Sequence, residues 1–373
     1  MNATVRTSTA WFPLVPRPRP ACLPVQARVD NVTATAAKAT AEEGTPQDQA
    51  TLAAAVLNNA ALIASDCGIP ALARDLCRRQ YLALAASAPL PAWAASLAMQ
   101  PVLNIIRQLI REDDSDRART MLEALHQAAL SRTATVIEDI TVDFGILTST
   151  ADAHRETCTL TWSALLSDGT RALALAGRWK EAAQLAAAYR GIGHRLLDGR
   201  QAAILAHLTS GQPSQADQMN EQSAVTEPWE HAVQAILRVM CQRAAGLDPA
   251  AGITAMTAAA SALASSETPG ATVTRTRIGL IALDVAGDSD TIQARALRTA
   301  LITAGNTDAY AARDLLASQW LTKSLSTAQH SELETLITVC GLGTGTIATQ
   351  PYERLATAAN QAESVLQYCS RTH

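Results

Sequence analysis

Aromatic residues are so scarce in this chain that its hydrophobic core must consist of small and aliphatic side chains. Only 3% of the 373 residues are aromatic, whereas 48% are hydrophobic. Alanine and leucine recur in stretches such as 53–61, 83–86 and 258–264, and both residues have high intrinsic helix propensity. Few β-branched or aromatic residues in these stretches favour a strand. The composition therefore predicts an alanine-rich, all-α fold with closely approaching helices.

From about residue 50, helical segments alternate with short breaks, and several breaks share one pattern. A glycine is followed five residues later by an alanine at Gly68/Ala73, Gly177/Ala182, Gly211/Ala216 and Gly246/Ala251. The last three breaks are 34 and 35 residues apart, and the acidic run at 113–116 leads into Ala118 in the same way without a glycine. Glycine permits a left-handed helix end, and alanine permits close approach of the next helix.

Residues 172–183 carry this pattern most fully, with Gly177, Trp179 and Ala182 at the positions that a tetratricopeptide turn uses. The chain thus resembles tetratricopeptide-repeat (TPR) proteins of actinobacterial type, with a defensible register over 160–255. The resemblance implies a right-handed α-solenoid of antiparallel helix pairs. The chain departs from the family because the large aromatic residues that begin the first helix and the proline that ends the second are mostly missing.

The composition divides the chain into three parts. Residues 1–45 are rich in Pro, Thr and Ala and predict a poorly ordered tail, residues 46–340 form the TPR-like helical repeat domain, and residues 341–373 form a Gly-rich linker and a C-terminal helix. The run 16–20 favours an extended polyproline conformation that presents Trp11 and Phe12 to a partner, or else a solvated leader without a role. Residues 135–144 fit either a short β-hairpin insertion or a loop tucked under the helices.

Charge and cysteine usage limit the location and the partners. The net charge of −4 gives no overall reason to expect nucleic acid or an anionic membrane. Seven scattered cysteines without a C-x-x-C pair suit free thiols in a reducing compartment. No stretch reaches the length of an apolar membrane span, and prolines interrupt the apolar N-terminal segment. We therefore expect a cytoplasmic protein.

No motif gives positive support for a metal, a cofactor or a catalytic triad. The run Asp113–Asp116 matches the metal-binding acidic runs of terpene synthases only weakly, because its spacing is one residue short, and it fits a helix cap better. Residues 341–346 resemble a phosphate loop only superficially and fit a helix end with a flexible linker. His154, Glu156 and Cys158 cannot ligate one metal jointly on a helix, because residues two apart point to different sides. We expect no cofactor and no metal site.

The best candidate site is a basic stretch at 171–200. It holds six Lys or Arg residues against Glu181 and Asp198. Arginine forks suit carboxylate or phosphate groups, although exposed charges balanced by acidic neighbours would look the same. The candidate ligand- or partner-binding residues are Arg171, Arg178, Arg190, His194, Arg195, Asp198 and Arg200.

Two functions remain open. The first is a non-enzymatic protein- or peptide-binding scaffold, a regulatory or biosynthetic-pathway accessory protein, which the repeat period favours. The alternative is an all-α enzyme or enzyme subunit that acts on an anionic small molecule or peptide at 171–200, with His194 as acid or base. Exposure of Leu355, Val365 and Leu366 would predict a homodimer, and polar capping would predict a monomer.

Overall fold

The computed structural model describes residues 9, 11–41, 44–266 and 268–371. The described chain is mostly helical, with one two-stranded sheet, which confirms the predicted all-α class. It divides into two compact units. Unit 1 comprises Met1–Leu23 and Gly169–Cys340, and unit 2 comprises Pro24–Asp168 and Gly341–His373. The repeat domain predicted over 46–340 is therefore shared between the two units.

Unit 2 is built from helices and the small sheet. Its elements are α1 (Val25–Thr40), α2 (Pro46–Asp66), α3 (Pro70–Ala85), α4 (Ala92–Arg111), α5 (Ser115–Ser131), β1 (Ala134–Ile137), β2 (Ile140–Asp143), α6 (Ala151–Ala164) and α18 (Thr349–Arg371). The chain leaves this unit through a π-helical turn, Leu165–Gly169.

Unit 1 is helical in its described part. Its helices are α7 (Thr170–Leu175), α8 (Trp179–Ala188), α9 (Asp198–Thr209), α10 (Pro213–Glu221), α11 (Pro228–Ala244), α12 (Ala250–Ala264), α13 (Thr272–Ala286), α14 (Ile292–Gly305), α15 (Ala309–Leu316), α16 (Gln319–Thr322) and α17 (Thr327–Val339).

Five helix pairs are joined by the same turn. The turn residue has a positive φ of 65–75° at Gly68, Asp113, Gly177, Gly211 and Gly246. In each case its amide donates to the carbonyl three residues earlier, and the next amide donates to the carbonyl five residues before it. This bonding satisfies carbonyls that a helix end leaves free. Asp113 takes the left-handed position without being glycine, as aspartate does more readily than most residues.

The alanine that follows each turn allows close packing in four of the five pairs. Ala73, Ala118, Ala182 and Ala216 have no exposed surface. The expectation is wrong at Ala251, which is exposed. There Gly252 makes the close approach, because a Cβ added to it would lie 2.7 Å from the side-chain oxygen of Gln242.

Of the two structures that the sequence left open for residues 135–144, the chain forms the hairpin. Strands β1 and β2 pair antiparallel with Ile137 opposite Ile140, and the turn contains Glu138 with a φ of +54°. Ile137, Ile140, Val142 and Phe144 are all buried. The β-branched residues therefore form a strand pair that also contributes to the core of unit 2.

The tail predicted over residues 1–45 is wrong for its described residues 25–40, which form α1. Val29, Val32, Ala36 and Ala39 are buried along one face of this helix. Their spacing of three and four residues produces an apolar stripe, which contacts α2 and α18. Residues 1–8, 10, 42 and 43 lie outside the described part of the chain.

The C-terminal helix completes unit 2. Helix α18 contacts α1, α2 and α3, and Leu355 and Leu366 are buried. The argument for a homodimer from exposed apolar side chains therefore fails for these two residues. The preceding glycine-rich loop is tied to α2, since the amides of Gly343 and Gly345 donate to the carbonyls of Asp66 and Cys67 at 2.8 and 2.7 Å.

Candidate functional site

The basic stretch 171–200 lies at the start of unit 1, and the structure spreads its residues over several environments. Arg171 is half-buried on α7, and Arg178 forms an ion pair with Glu181 at 2.5 Å. Arg190, with a φ of +56°, lies in the turn after α8, and the side chains of Arg190, His194 and Arg195 are exposed. The seven candidate residues thus do not form one cluster of exposed charges.

Arg200 is a structural residue of this region. Its side chain is 6% exposed and donates to the Ser223 hydroxyl at 2.7 Å and to the carbonyls of Gly193 and Met219 at 2.8 Å each. Burial lowers the pKa of its guanidinium. These three bonds account for the buried charge, because a buried cation needs acceptors around it. Arg200 therefore fixes the loop before α9 to the end of α10.

Arg195 pairs with a fully buried carboxylate. Its Nε donates to Glu230 at 2.9 Å, and the other Glu230 oxygen accepts from the amides of Thr226 and Glu227 and from the Thr226 hydroxyl. Burial by itself raises the pKa of Glu230, but these hydrogen bonds outweigh it and lower the pKa to about 2. Arg195 and Glu230 therefore join the α8–α9 loop to the start of α11.

A different feature of unit 1 has the geometry of a binding site. Residues 11–23, here called the N-terminal segment, run over several of its helices without forming a helix themselves. Phe12 and Leu14 are 1% and 2% exposed, and Cys22 is 1% exposed. We call the surface that contacts this segment the docking face; it comprises Asp198, Gln201, Gly270, Arg277, Asp308, Ala309, Tyr310 and Cys340.

Gln201 on α9 binds the main chain of the segment. The Leu14 amide donates to the Gln201 side-chain oxygen at 2.7 Å, and the Gln201 side-chain nitrogen donates to the Leu14 carbonyl at 3.3 Å. The same nitrogen donates to the Leu196 carbonyl at 2.6 Å, which holds the amide in place. Gln201 has no exposed surface. A buried amide that pairs with both main-chain groups of one residue recognises extended backbone rather than a particular side chain.

The two arginines of the segment contact an acidic and an aromatic residue. Arg17 donates to Asp198 at 2.7 Å, and the guanidinium of Arg19 lies 3.5 Å from the ring centroid of Tyr310. The Arg19 amide donates to the carbonyl of Gly270 at 3.2 Å. A cation over an aromatic ring and a cation beside a carboxylate are both favourable, so this part of the face suits positive charge.

Buried groups hold the end of the segment. The Cys22 amide donates to the Asp308 carboxylate at 3.2 Å, and the Cys22 carbonyl accepts from the Ala309 amide and the Cys340 thiol at 3.3 Å each. Asp308 is 2% exposed. At the opposite end, the Arg277 guanidinium lies 4.8 Å from the ring centroid of Trp11 and pairs with the buried Asp314 at 2.7 Å.

No protein-family model matches the chain, and no curated protein or solved structure matches it. Function is therefore inferred from the geometry of the docking face and from the rest of the described chain.

The other candidates from the sequence have ordinary structural contacts. Asp114 accepts from the Arg117 amide at 3.3 Å and caps α5, so the helix-cap interpretation of the acidic run is confirmed. His154 and Cys158 lie on one side of α6, with the His154 Nε2 3.4 Å from the thiol. Within the described residues, no group of three His, Cys, Asp or Glu side chains could hold a metal ion. None of the described helices has the length and apolar character that a membrane crossing requires.

Sequence reasoning missed Asp308 and Tyr310, and it placed Gln201 only in a polar run, 198–201, without its partner. The partners lie far away along the chain, at separations of 187 residues for Gln201 and 286 for Asp308. The signal that could have found them is the segment itself. A proline-rich stretch with Trp11, Phe12 and Leu14 beside two arginines has the composition of a recognised peptide.

Proposed function

We propose that this chain is a non-enzymatic helical-repeat scaffold, in which unit 1 binds an extended segment of a partner protein on the docking face. The finer architecture that we propose is a right-handed, TPR-like α-solenoid of antiparallel pairs. The five identical turns support it. So does the order of contacts in unit 1, where each helix from α7 to α15 contacts the next, and α7 contacts α9, α11 contacts α13, α12 contacts α14, α13 contacts α15 and α15 contacts α17.

The observation that carries the proposed function is the pairing of buried Gln201 with both main-chain groups of Leu14. Main-chain recognition supplies affinity without demanding one sequence, and neighbouring pockets then supply specificity. The helices that provide the face, α9, α13 and α15, are each the first helix of a proposed pair, and α11, the first helix of the intervening pair, makes none of the named contacts. In a solenoid, alternate helices share one surface, which favours a single long groove for an extended ligand.

The proposed role is that of a regulatory or biosynthetic-pathway accessory protein in the cytoplasm. Six of the seven cysteines are buried, and the sequence holds no C-x-x-C pair. Scattered cysteines of this kind suit a reducing compartment, which supports this location. The contacts of Arg195 and Arg200 with protein groups account for two cationic residues of the 171–200 stretch without a ligand.

A displayed library of random peptides tests the function. The bait is the full chain with Phe12→Glu and Leu14→Glu, which places two charges at buried positions and releases the N-terminal segment. We expect enriched peptides to bind this bait, and to bind about tenfold more weakly when Gln201→Leu is added, since a lost hydrogen bond to a buried group costs 1–3 kcal/mol. Ser214→Leu, on α10 away from the named contacts, is the matched control. Failure to enrich any peptide, or a peptide affinity that Gln201→Leu leaves unchanged, would refute the proposal.

A further inference from the structure

The docking face is filled by the chain itself, and the chemistry of that occupant indicates what else can bind there. Three positions of the face have different preferences. Gln201 binds the main chain of Leu14, whose side chain is buried like that of Phe12, whereas Asp198 faces Arg17 and Tyr310 faces Arg19. An apolar anchor thus precedes two cationic positions.

Charge distinguishes the segment from its surroundings. Residues 11–23 contain two arginines and no acidic residue, in a chain with a net charge of −4. The docking face places the Asp198 carboxylate against Arg17, and the buried Asp308 carboxylate accepts from the Cys22 amide. The cationic Arg277 of the face is already paired with Asp314. An acidic peptide would bring like charges together at Asp198 and Asp308, so the face selects against it.

The main chain of the segment explains its prolines. The amides of Leu14, Arg19 and Cys22 donate to Gln201, Gly270 and Asp308. Positions 13, 16, 18 and 20 are prolines, which have no amide hydrogen to satisfy. Proline also restricts the unbound peptide to extended conformations, so less conformational entropy is lost on binding. A proline-rich ligand therefore suits a face with few main-chain acceptors.

We propose that the partner segment is a proline-rich peptide with an aromatic or aliphatic anchor followed by arginines, and that residues 11–23 compete with it for the docking face. This inference rests on the proposed function and adds the class of ligand and its regulation. The N-terminal segment is covalently attached, so its effective concentration at the face is high, and an external peptide must displace it. The free protein is thus held in a closed state until a partner of the same chemistry is abundant.

Synthetic peptides test the ligand class directly. The probe is a fluorescein-labelled, C-terminally amidated peptide of residues 11–21, and the control peptide carries Arg17→Glu and Arg19→Glu. Both are titrated by fluorescence anisotropy against the wild-type chain and against the Phe12→Glu/Leu14→Glu chain. We expect the probe to bind the variant chain at least about tenfold more tightly than wild type, because the competitor is gone. The control peptide should bind the variant chain at least about tenfold more weakly than the probe.

A charge exchange identifies the contact. Asp198→Arg, added to the Phe12→Glu/Leu14→Glu chain, should weaken binding of the probe and restore binding of a peptide that carries Arg17→Glu alone. Equal binding of the probe and the control peptide would overturn the ligand class, as would failure of both to bind. In either case peptides enriched from the random library would leave the peptide-binding function standing. Equal binding of the probe to wild-type and variant chains would overturn the competition.

A second measurement needs no destabilised variant. Saturating the wild-type chain with the probe, which contains no cysteine, should accelerate the modification of buried Cys22 by a maleimide. The control peptide at the same concentration should leave that rate unchanged. Protection or no change at Cys22 with saturating probe would show that the peptide does not displace the N-terminal segment.

Discussion

Truncating Phe12 should release the N-terminal segment from unit 1 without unfolding the unit. Phe12 is 1% exposed, and Phe→Ala at a buried site costs about 3–5 kcal/mol. The cost falls on the docked state of the segment, since the side chain becomes solvated on release. At about 1.4 kcal/mol per factor of ten, the released population rises by two to three and a half powers of ten.

The thiol of Cys22 reports this release. It is buried in the docked segment, and its amide and carbonyl are bonded to Asp308, Ala309 and Cys340. The experiment uses Cys158→Ser as background, which removes the one cysteine that is not buried. Modification rates are measured for each thiol by mass spectrometry. If opening and closing are fast compared with modification, the Cys22 rate follows the released population and rises by the same factor.

Two controls separate release from general unfolding. Leu23→Ala removes an apolar side chain that is 47% exposed, and it should change the Cys22 rate by less than about threefold. Cys241 is buried on α11 of the same unit and should keep its wild-type rate in the Phe12→Ala chain. An unchanged Cys22 rate in a folded Phe12→Ala chain would refute the anchoring role of Phe12. Parallel acceleration of Cys22 and Cys241 would show that the segment supports the whole unit.

Three further predictions follow from other parts of the chain. Glu230→Gln should lower the free energy of unfolding at pH 7 by an amount on the order of 2–3 kcal/mol. The folded-state pKa of Glu230 is lowered to about 2, so its contribution to stability is complete above the unfolded pKa near 4.5 and disappears as pH falls to about 2. Urea unfolding at pH 7 and pH 3 should therefore show that the wild-type and Glu230→Gln chains differ less in stability at pH 3. An equal difference at both pH values would contradict the role given to Glu230. Asp113→Gly should raise the free energy of unfolding by up to about 1 kcal/mol, and Gly177→Ala should lower it by about 1 kcal/mol, because both positions have a positive φ. Backbone conformation alone sets the effect at Gly177, since an added Cβ meets nothing within 4 Å. Thermal midpoints that shift in the same direction for both variants would be incompatible with this reasoning. Cys158 should be the first thiol modified in the native wild-type chain, more slowly than a free cysteine at pH 7.5, since burial raises its pKa; a fast phase that survives Cys158→Ser would disprove it.

The turns between helices could be predicted from sequence because their chemistry is local. Gly68, Gly177, Gly211 and Gly246 all adopt the left-handed conformation that the pattern predicts. The hairpin at 134–143 was also visible, since its β-branched residues surround two turn residues. Ala251 was misassigned because the close approach there uses the neighbouring Gly252. Residue patterns that span a single turn therefore predict the turns and the hairpin.

The candidate site was not predictable in the same way. The basic residues of 171–200 stand out in sequence, but Arg195 and Arg200 find their partners at Glu230, Gly193, Met219 and Ser223. The N-terminal segment was assigned to a tail because its prolines exclude a helix, and its burial depends on a surface that forms only when α9, α13 and α15 are assembled. Long-range pairing leaves no periodic signal in the sequence around either partner.

Each unit is assembled from two separate stretches of the sequence, and this order affects when each unit can fold during synthesis. The N-terminal segment is synthesised before the rest of unit 1, yet Asp308 and Cys340, which hold its end, are synthesised near the end of that unit. Unit 2 is likewise interrupted, because α1–α3 contact α18, and α18 is the last helix described. Domains generally fold as they emerge, but unit 1 lacks part of its docking face until Cys340 has been synthesised, and unit 2 lacks α18 until residues 349–371 have been synthesised. Prematurely terminated chains should therefore expose the apolar stripe of α1 and become substrates for chaperones and proteases.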